Sequence, residues 1–467
     1  MKKIVFLLKV FTMVIVICTA LFAQKPDISW FASNSEAKTF NIANADQLAG
    51  INMLLNNTAG LGQAVDFSGK TFILTENIDL SKYGMNYNAK KGWIPIGGCV
   101  GNVEYGLGGR YCKDNAFNGI FDGNGKTISG LYINDNKMLK AGLFGGVGEQ
   151  GEIKNLGLVS VNITGSEYVG GIVGEFRGKI IANCYTSGTI IGQTQVGGIA
   201  GAFRTKWGGE SGMTNCNSTA AVKSNGSYIG GLIGSFSSFG KDKINDCYFM
   251  GTVSGGRSVG GIVGGVTTSG CYVVNSYNHA DVKGIDEVGG IFGHGGTVID
   301  CYSIGAVSGN NYVGGICGQS GNVINCYSIG AVSGNNYVGG MGGGKSRGIS
   351  NCTALNPSIK AKGADFGRIT GEADYGFGKG NFFGNVAFVG MTNSVGNTLW
   401  INKTATEKNG ADITADEIKA NPTIGGRFTK RAVNRDYGDL LYTSGWVTEA
   451  GKLPGLGTVI DMPAHLK

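Results

Sequence analysis

Short apolar segments of four to six residues alternate with Gly, Asn and Ser between residues 141 and 352. The block at residues 169–172, Val-Gly-Gly-Ile, returns with small changes at intervals of 25 to 33 residues. The later copies begin at Val196, Ile229, Val259, Val288, Val313 and Val338. Residues 301–315 recur unchanged as residues 326–340. This identity indicates the duplication of one structural unit.

A second block follows within each unit: an apolar residue, a variable one, Asn or Asp, usually Cys and usually Tyr. The apolar members are Ile181, Met213, Ile244, Val273, Val298, Val323 and Ile349. Such short segments between turn residues are typical of strands, and this part of the chain lacks the 3.6-residue period of a helix. We therefore predict an all-β fold, a right-handed parallel β-helix (β-solenoid) with three strands per coil and short helical caps at both ends.

Stacking of the coils would place equivalent residues about 4.8 Å apart, in columns that run along the solenoid. Val and Ile columns would form the core, and Gly170 with Gly171 would permit a bend. Asn tolerates left-handed backbone and can bond its own copy in the next coil, which predicts an amide ladder at a turn. Its members are Asn183, Asn215, Asp246, Asn275, Asp300, Asn325 and Asn351.

The two ends carry helix signals, as expected of solenoid caps. Asn44 with Gln47 predicts a helix to about Asn56, and Thr414 with Glu417 predicts another. Residues 72–80 predict a first strand. The expected organisation is a signal peptide at 1–23, an N-terminal cap with the first coils at 24–116, repeats at 117–360, and C-terminal coils with a cap at 361–467.

The repeats also resemble a known motif. The blocks at 142–145, 171–174, 231–234 and 261–264 look like the GLUG motif, and residues 117–128 resemble the segment that often precedes it. GLUG-containing proteins are bacterial secreted or surface chains, including non-catalytic regions of immunoglobulin-A-specific metallopeptidases. The resemblance implies β-helix coils at the cell surface. It does not imply peptidase activity, because His279, His294 and His465 are scattered and no H-E-x-x-H zinc site is present.

Composition narrows the class of protein. The chain has 85 glycines and 6 prolines without a Gly-X-Y period, which excludes collagen, and its 42% apolar content excludes general disorder. Lys2 and Lys3 precede an apolar run, which predicts a secretory signal peptide cleaved after Ala23, with a membrane anchor as the alternative. No membrane span is predicted in the mature chain, and the protein is expected to be secreted or at the cell surface. The formal charge of +7 includes no basic run interleaved with aromatic residues, so no nucleic-acid partner is expected.

Ten cysteines follow the predicted signal peptide, and six of them share one column. That column is Cys184, Cys216, Cys247, Cys301, Cys326 and Cys352, with Ser276 in one coil. We interpret these as free thiols in a packed core. Cys99 and Cys112 lie together in a glycine-rich insertion and are the candidate disulfide. No Cys-x-x-Cys and no paired histidines occur, so no metal or cofactor is predicted.

The candidate binding residues form a tyrosine column that is interrupted by Asn217. They are Tyr185, Tyr248, Tyr277, Tyr302 and Tyr327. If the rings faced outward, they would form an aromatic strip for sugars; if not, they would form a packing ladder. We expect a non-enzymatic adhesion or scaffold protein that binds an extracellular glycan or a surface protein, in an oligomeric state left open. The alternative is a carbohydrate-active β-helix enzyme, a polysaccharide lyase or glycoside hydrolase, which would use clustered carboxylates with a basic residue. Asp246 and Asp300 share a column, but they would lie two coils apart, about 10 Å, with Asn275 between them, which is too coarse for a catalytic pair.

Overall fold

The repeats form a right-handed parallel β-solenoid of about 12 turns in a computed structural model. The structure describes residues 25–60, 62–106, 109–205, 211–238, 240, 242–268, 270–344, 346–372, 382–430, 432–435 and 440–467. For the described residues within 100–114 and 432–441 it gives the backbone and not the side chains. The predicted signal peptide therefore lies outside the described residues. The predicted fold class is confirmed. No helix in the described part of the chain is long and apolar enough to cross a bilayer.

One coil contains five short strands rather than the three predicted. In the coil that begins at Asn311 they are Asn311–Gly314, Cys317–Gln319, Asn322–Ile324, Tyr327–Ser328 and Val332–Gly334. The extra breaks come from residues that turn the backbone sharply, since the Asn of the ladder is left-handed and a Gly ends the tyrosine strand. The sequence predicts three strands because its apolar segments look continuous across these turns.

Equivalent strands of successive coils pair in parallel into four sheets. The first sheet contains Thr39–Ile42, Thr71–Leu74, Ile120–Asp122, Glu152–Lys154, Ile180–Ala182, Gly212–Thr214, Lys243–Asn245, Tyr272–Val274, Thr297–Ile299, Asn322–Ile324, Gly348–Ser350 and Phe382–Phe383. The second contains Ile78–Asp79, Thr127–Ser129, Tyr132–Asn134, Gly157–Thr164, Tyr185–Ile191, Asn217–Ser218, Ala221–Lys223, Tyr248–Phe249, Thr252–Ser254, Tyr277–Asn278, Val282–Lys283, Tyr302–Ser303, Val307–Ser308, Tyr327–Ser328, Val332–Gly334, Thr353–Ala354, Ile359–Ala361, Val386–Phe388 and Ala411–Ile413.

The other two sheets lie on either side of the Gly-Gly bend. The third contains Glu167–Gly170, Thr194–Gly197, Ser227–Gly230, Arg257–Gly260, Asp286–Gly289, Asn311–Gly314, Asn336–Gly339 and Phe366–Gly367. The fourth contains Phe144–Val147, Val173–Phe176, Ala200–Arg204, Ile233–Ser237, Val263–Val266, Phe292–His294, Cys317–Gln319 and Gly342–Gly344. A Cβ at Gly314 would collide with the carbonyl oxygen of Cys317, so glycine is needed there for close approach of the backbone.

The remaining elements lie outside the solenoid sheets. Antiparallel pairs join Cys99–Gly106 with Gly109–Asp114, Ala432–Arg435 with Leu440–Thr443, Trp446–Val447 with Gly455–Leu456, and Lys452–Leu453 with Ile460–Asp461. The described helices are Ser29–Ala32, Ala45–Leu55, Ala415–Ala420 and the 3-10 turns Ser81–Tyr83 and Ala464–Leu466.

Both predicted cap helices are present. The Asn44 side chain accepts from the N–H groups of Asp46 and Gln47, and the helix Ala45–Leu55 buries one apolar face. Thr414 and Glu417 form the capping box of Ala415–Ala420. The predicted first strand at 72–80 is two strands, and an earlier one, Thr39–Ile42, pairs with Thr71–Leu74. That earlier strand was missed because it precedes the cap helix and belongs to no recognisable repeat.

The cysteine column lies in the core as predicted. The free, buried thiols are Cys184, Cys216, Cys247, Cys271, Cys301, Cys317, Cys326 and Cys352. Burial raises the pKa of Cys326 and Cys352 well above the ordinary value, so both thiols stay protonated. Cys99 is in a disulfide, but the side chain of Cys112 lies outside the described residues, so their pairing stays a prediction.

The amide ladder is also confirmed. Asn215 donates to Asn183 at 2.9 Å, and Asn183 donates to Asn155 at 2.8 Å. Every predicted member has a positive φ, between 46° and 59°. Asn155, which sequence reasoning did not include, extends the ladder by one coil. The ladder thus fixes the turn that precedes each tyrosine of the column.

Candidate functional site

The tyrosine column is a stack of parallel rings along the solenoid. Tyr248, Tyr277, Tyr302 and Tyr327 have successive centroid separations of 5.0, 4.9 and 5.1 Å, with 3° between ring planes. Each inner ring is therefore sandwiched between its neighbours and presents only its edge to the outside. Of the two alternatives, the packing ladder describes this stack and the flat strip for sugar stacking does not, because the ring faces contact each other.

A C-terminal segment covers one half of this column. We call residues 442–456 the strap. The Trp446 ring lies 6.2 Å from that of Tyr302 and 5.7 Å from that of Tyr327, and the Tyr327 hydroxyl donates to the Pro454 carbonyl at 2.5 Å. Both tyrosines have no exposed surface. They are thus excluded as surface sugar contacts, contrary to the prediction, because the strap occupies that place.

Asp300 is the polar centre of the strap contact. Its carboxylate accepts from Trp446 Nε1 at 2.9 Å, from the Tyr442 hydroxyl at 2.5 Å and from Asn325 Nδ2 at 2.5 Å. The residue is fully buried, and a buried carboxylate is tolerated when several donors replace the lost water. Because Asp300 is covered and Asp246 is exposed, the two do not share an open cleft as a catalytic pair would require.

Asn275, one coil before Asp300 in the ladder, binds the strap backbone from both sides. Its Oδ1 accepts from the Gly445 N–H at 3.1 Å, and its Nδ2 donates to the Thr443 carbonyl at 2.8 Å. A side-chain amide that pairs with a backbone N–H and C=O in this way recognises an extended chain whatever its sequence. The ladder is thus a peptide-binding element as well as a turn.

Sequence reasoning missed the strap, although one signal for it exists. The variable position before each ladder residue is polar or Ala in most coils but is Val274, Ile299 and Ile324 in three successive coils. Val274 and Ile299 are buried and pack with Tyr442. An apolar residue at a position that is polar or small in most other coils indicates a covering segment.

In the described part of the chain, the other half of the column keeps exposed surface. We call it the open face, and it consists of Asn183, Tyr185, Asn215, Asn217, Asp246, Tyr248 and Tyr277. Tyr185 is 39% exposed, and its ring lies where a Cβ on Gly157 would sit. Asn217 carries no ring, so the stack is broken between Tyr185 and Tyr248. The open face therefore has an aromatic gap with an amide at its centre.

Two titratable groups border the open face. Burial raises the pKa of Asp246, and hydrogen bonds from Asn275 and Asn245 offset this only in part. His279 contacts the Tyr302 hydroxyl through Nε2 at 3.1 Å, and its ring lies 4.8 Å from that of Tyr277. Burial lowers the pKa of His279, which favours the neutral imidazole at neutral pH. The described residues contain no group of three or more His, Cys, Asp or Glu side chains placed to hold a metal ion.

A second buried polar cluster lies near the Gly-Gly bend, centred on Glu287. Its carboxylate is bonded by Arg257 at 2.6 Å and Ser258 at 2.5 Å, and His294 Nδ1 lies at 3.5 Å. Burial by itself raises the pKa of Glu287, but the nearby His294 and the hydrogen bonds from Arg257 and Ser258 outweigh it and bring the pKa to about 2.

Glu287→Gln is expected to reduce the acid sensitivity of the fold. Because the folded pKa lies below the ordinary value of 4.5, the carboxylate stabilises the protein above about pH 4.5, and this stabilisation is lost as the pH falls toward 2. The difference in unfolding free energy between wild type and variant should shrink by about 3 kcal/mol over that window. Urea unfolding at several pH values measures it, and a constant difference would contradict the assignment.

Comparison with known proteins gives partial sequence matches. No family model matches the chain. Halomucin of Haloquadratum walsbyi is 34% identical over 146 residues, which is 31% of this chain and 1% of that protein. A protein of Evansella cellulosilytica, provisionally named a Gly-rich membrane protein, is 32% identical over 132 residues, which is 27% of this chain and 13% of that protein. The chain thus spans a small part of the curated relatives that it matches.

One solved structure is similar over most of the chain. It is a Bacteroides ovatus protein provisionally described as an immunoglobulin A1 protease, with 18% identity and a TM-score of 0.37. The similarity covers 87% of this chain and 92% of that one.

Proposed function

We propose that the protein is an exported, non-enzymatic adhesion or scaffold module that binds its partners through the open face. The observation that carries the proposal is the contrast along one column: the strap buries Tyr302 and Tyr327, whereas Tyr185, Tyr248 and Tyr277 keep exposed surface next to exposed ladder amides. A regular row of phenol edges and amides offers repeated hydrogen-bonding groups on a rigid support. The resemblance of the repeats to the GLUG motif of secreted and surface proteins supports export.

Glycans are the ligand class that the sequence analysis favours, and the gap at Asn217 is where they fit best. A sugar ring there would meet the outer ring of the stack, Tyr248, on one side and Tyr185 on the other, with the Asn217 amide between them. Tyrosine and amide groups together suit a ligand that has both apolar faces and hydroxyls. The repeating rungs, spaced by about 4.8 Å, also suit a polymeric ligand that runs along the axis.

An array of printed glycans and purified extracellular surface proteins tests the proposal with the mature chain. We expect at least one ligand, and we expect Tyr185→Ala combined with Tyr248→Ala to weaken its binding at least tenfold, about 1.4 kcal/mol. The matched control is Tyr312→Ala with Tyr337→Ala, a stacked pair on another face with centroids 4.8 Å apart. The absence of any ligand, or equal losses in both double variants, would contradict the proposal.

A further inference from the structure

The open face repeats the ladder and tyrosine part of the pattern that binds the strap, with Thr214 and Asn245 in place of the apolar Val274 and Ile299. Under the strap, Asn275 is followed in the next coil by Asp300 and Tyr302, and then by Tyr327. Two coils closer to the N-terminus the same residue types stand in the same columns. They are Asn215, Asp246, Tyr248 and Tyr277.

The two sets share their backbone geometry. Asn215 and Asp246 have φ values of 50° and 54°, and Asn275 and Asp300 have values of 46° and 52°. The Asn and Asp side chains of the two sets are therefore attached to equivalent left-handed turns of the backbone. The two sets differ in coverage, since Asn275 and Asp300 are buried whereas Asn215 and Asp246 are exposed.

The Asn-to-Asp step is specific to these two places. Among the predicted ladder members from Asn183 to Asn351, an Asn is followed by an Asp only at Asn215 and Asn275. The step matters because the two residues act on different groups: the Asn binds the backbone of the strap, and the Asp accepts from its aromatic donors.

We propose that Asn215, Asp246, Tyr248 and Tyr277 form a second docking site, for an extended peptide of a partner protein whose Tyr and Trp donors resemble those of the strap. Asp246 accepts from the aromatic N–H or O–H group of that peptide. Asn215 gives one N–H to Asn183, and its amide retains a second N–H and an oxygen with which to bind the peptide backbone. The proposal rests on the proposed function in that the open face is the binding surface, and it assigns a peptide to that surface.

The strap itself is the template for the occupant. Its recognition elements are the donors of Tyr442 and Trp446 and the extended backbone between Thr443 and Gly445. The two sites lie in one continuous set of columns, so a second peptide would follow the same direction as the strap. The spacing of two coils, about 10 Å, sets the offset between the two peptides.

A fluorescent synthetic peptide with the sequence of residues 440–456 tests the site on the full mature chain. The strap already fills the first site, so peptide added in solution reports the second. We expect saturable binding of one peptide per chain, at least tenfold weaker to Asp246→Ala. The same loss of affinity is expected for a peptide in which Ala replaces the residue that corresponds to Trp446. Asp281→Ala, which removes an exposed carboxylate from the same sheet region, is the matched control, and circular dichroism confirms that all variants are folded.

No saturation up to about 1 mM peptide, or unchanged affinity of Asp246→Ala, would overturn the inference. Unchanged affinity would mean that the peptide exchanges with the strap at Asp300. An array ligand that depends on Tyr185 and Tyr248, with no peptide binding, would overturn this inference and leave the proposed function in place. Peptide binding that depends on Asp246, without any array ligand, would uphold the inference and contradict the proposed function as tested on the array.

Discussion

Ile316→Asp is expected to lower the free energy of unfolding by about 4 kcal/mol or more. Ile316 has no exposed surface, and its column is filled by apolar residues in the coils on either side. That column is Ile172, Ile199, Leu232, Ile262, Ile291, Ile316 and Met341. An aspartate there would place an unpaired carboxylate between two apolar layers. Urea unfolding followed by circular dichroism measures the loss.

The matched control for this change is Ile285→Asp. Ile285 is 52% exposed, so the same substitution leaves the carboxylate in water and should change stability by less than about 0.5 kcal/mol. In a solenoid each coil contacts its neighbours only, so the damage from the Ile316 change should spread outward from its own coil. Equal stability of the two variants would show that Ile316 does not face the core.

Asp300→Ala is expected to loosen the strap while the solenoid stays folded. The change removes the acceptor of the Trp446 N–H and the Tyr442 hydroxyl, and buried donors left without an acceptor cost about 1–3 kcal/mol each. The strap keeps its hydrogen bonds to Asn275 and Tyr327, so it should open locally more often without being lost altogether. Hydrogen exchange of residues 442–456 should accelerate at least tenfold.

Asp281→Ala serves as the control, because it removes an exposed carboxylate of the same sheet region that accepts from the Ala306 N–H and not from the strap. Its strap should exchange at the wild-type rate. Limited proteolysis gives an independent measure: the Asp300 variant should be cut within the strap, and the solenoid fragment should resist. Slow exchange of the strap in Asp300→Ala would show that packing of Trp446 on the tyrosines holds it without the carboxylate.

The solenoid could be predicted from sequence because its rules are local and repeat. The left-handed Asn column, the buried Cys column and the apolar column at Val323 each follow from residue type and position within a unit. The number of strands per coil was wrong for a related reason, since turns at Asn325 and Gly330 interrupt segments that look continuous in hydrophobicity.

The candidate site was only partly predictable. The tyrosine column was identified, but its state depends on Trp446, which lies 144 residues after Tyr302 in an aperiodic segment. A contact between the repeats and the C-terminal tail occurs once and does not recur from coil to coil. The sequence therefore shows no periodic pattern that would predict it. Only the apolar residues Val274, Ile299 and Ile324 indicate the strap in the sequence, because the equivalent positions in most other coils are polar or Ala.

The strap also determines where the array can gain or lose units during evolution. The strap contacts the solenoid from Asn275 to Tyr327, and His465, further along the tail, is bonded to the Leu355 carbonyl, so the anchored interval extends from Asn275 to Leu355. Unequal recombination that adds a 25-residue unit inside this interval would shift the anchoring residues out of register with the tail. A unit added near Asn183 would lengthen the accessible part and leave the anchors unchanged. The number of repeats is therefore constrained in the coils that the strap and tail contact, and it can change in the coils that they do not contact.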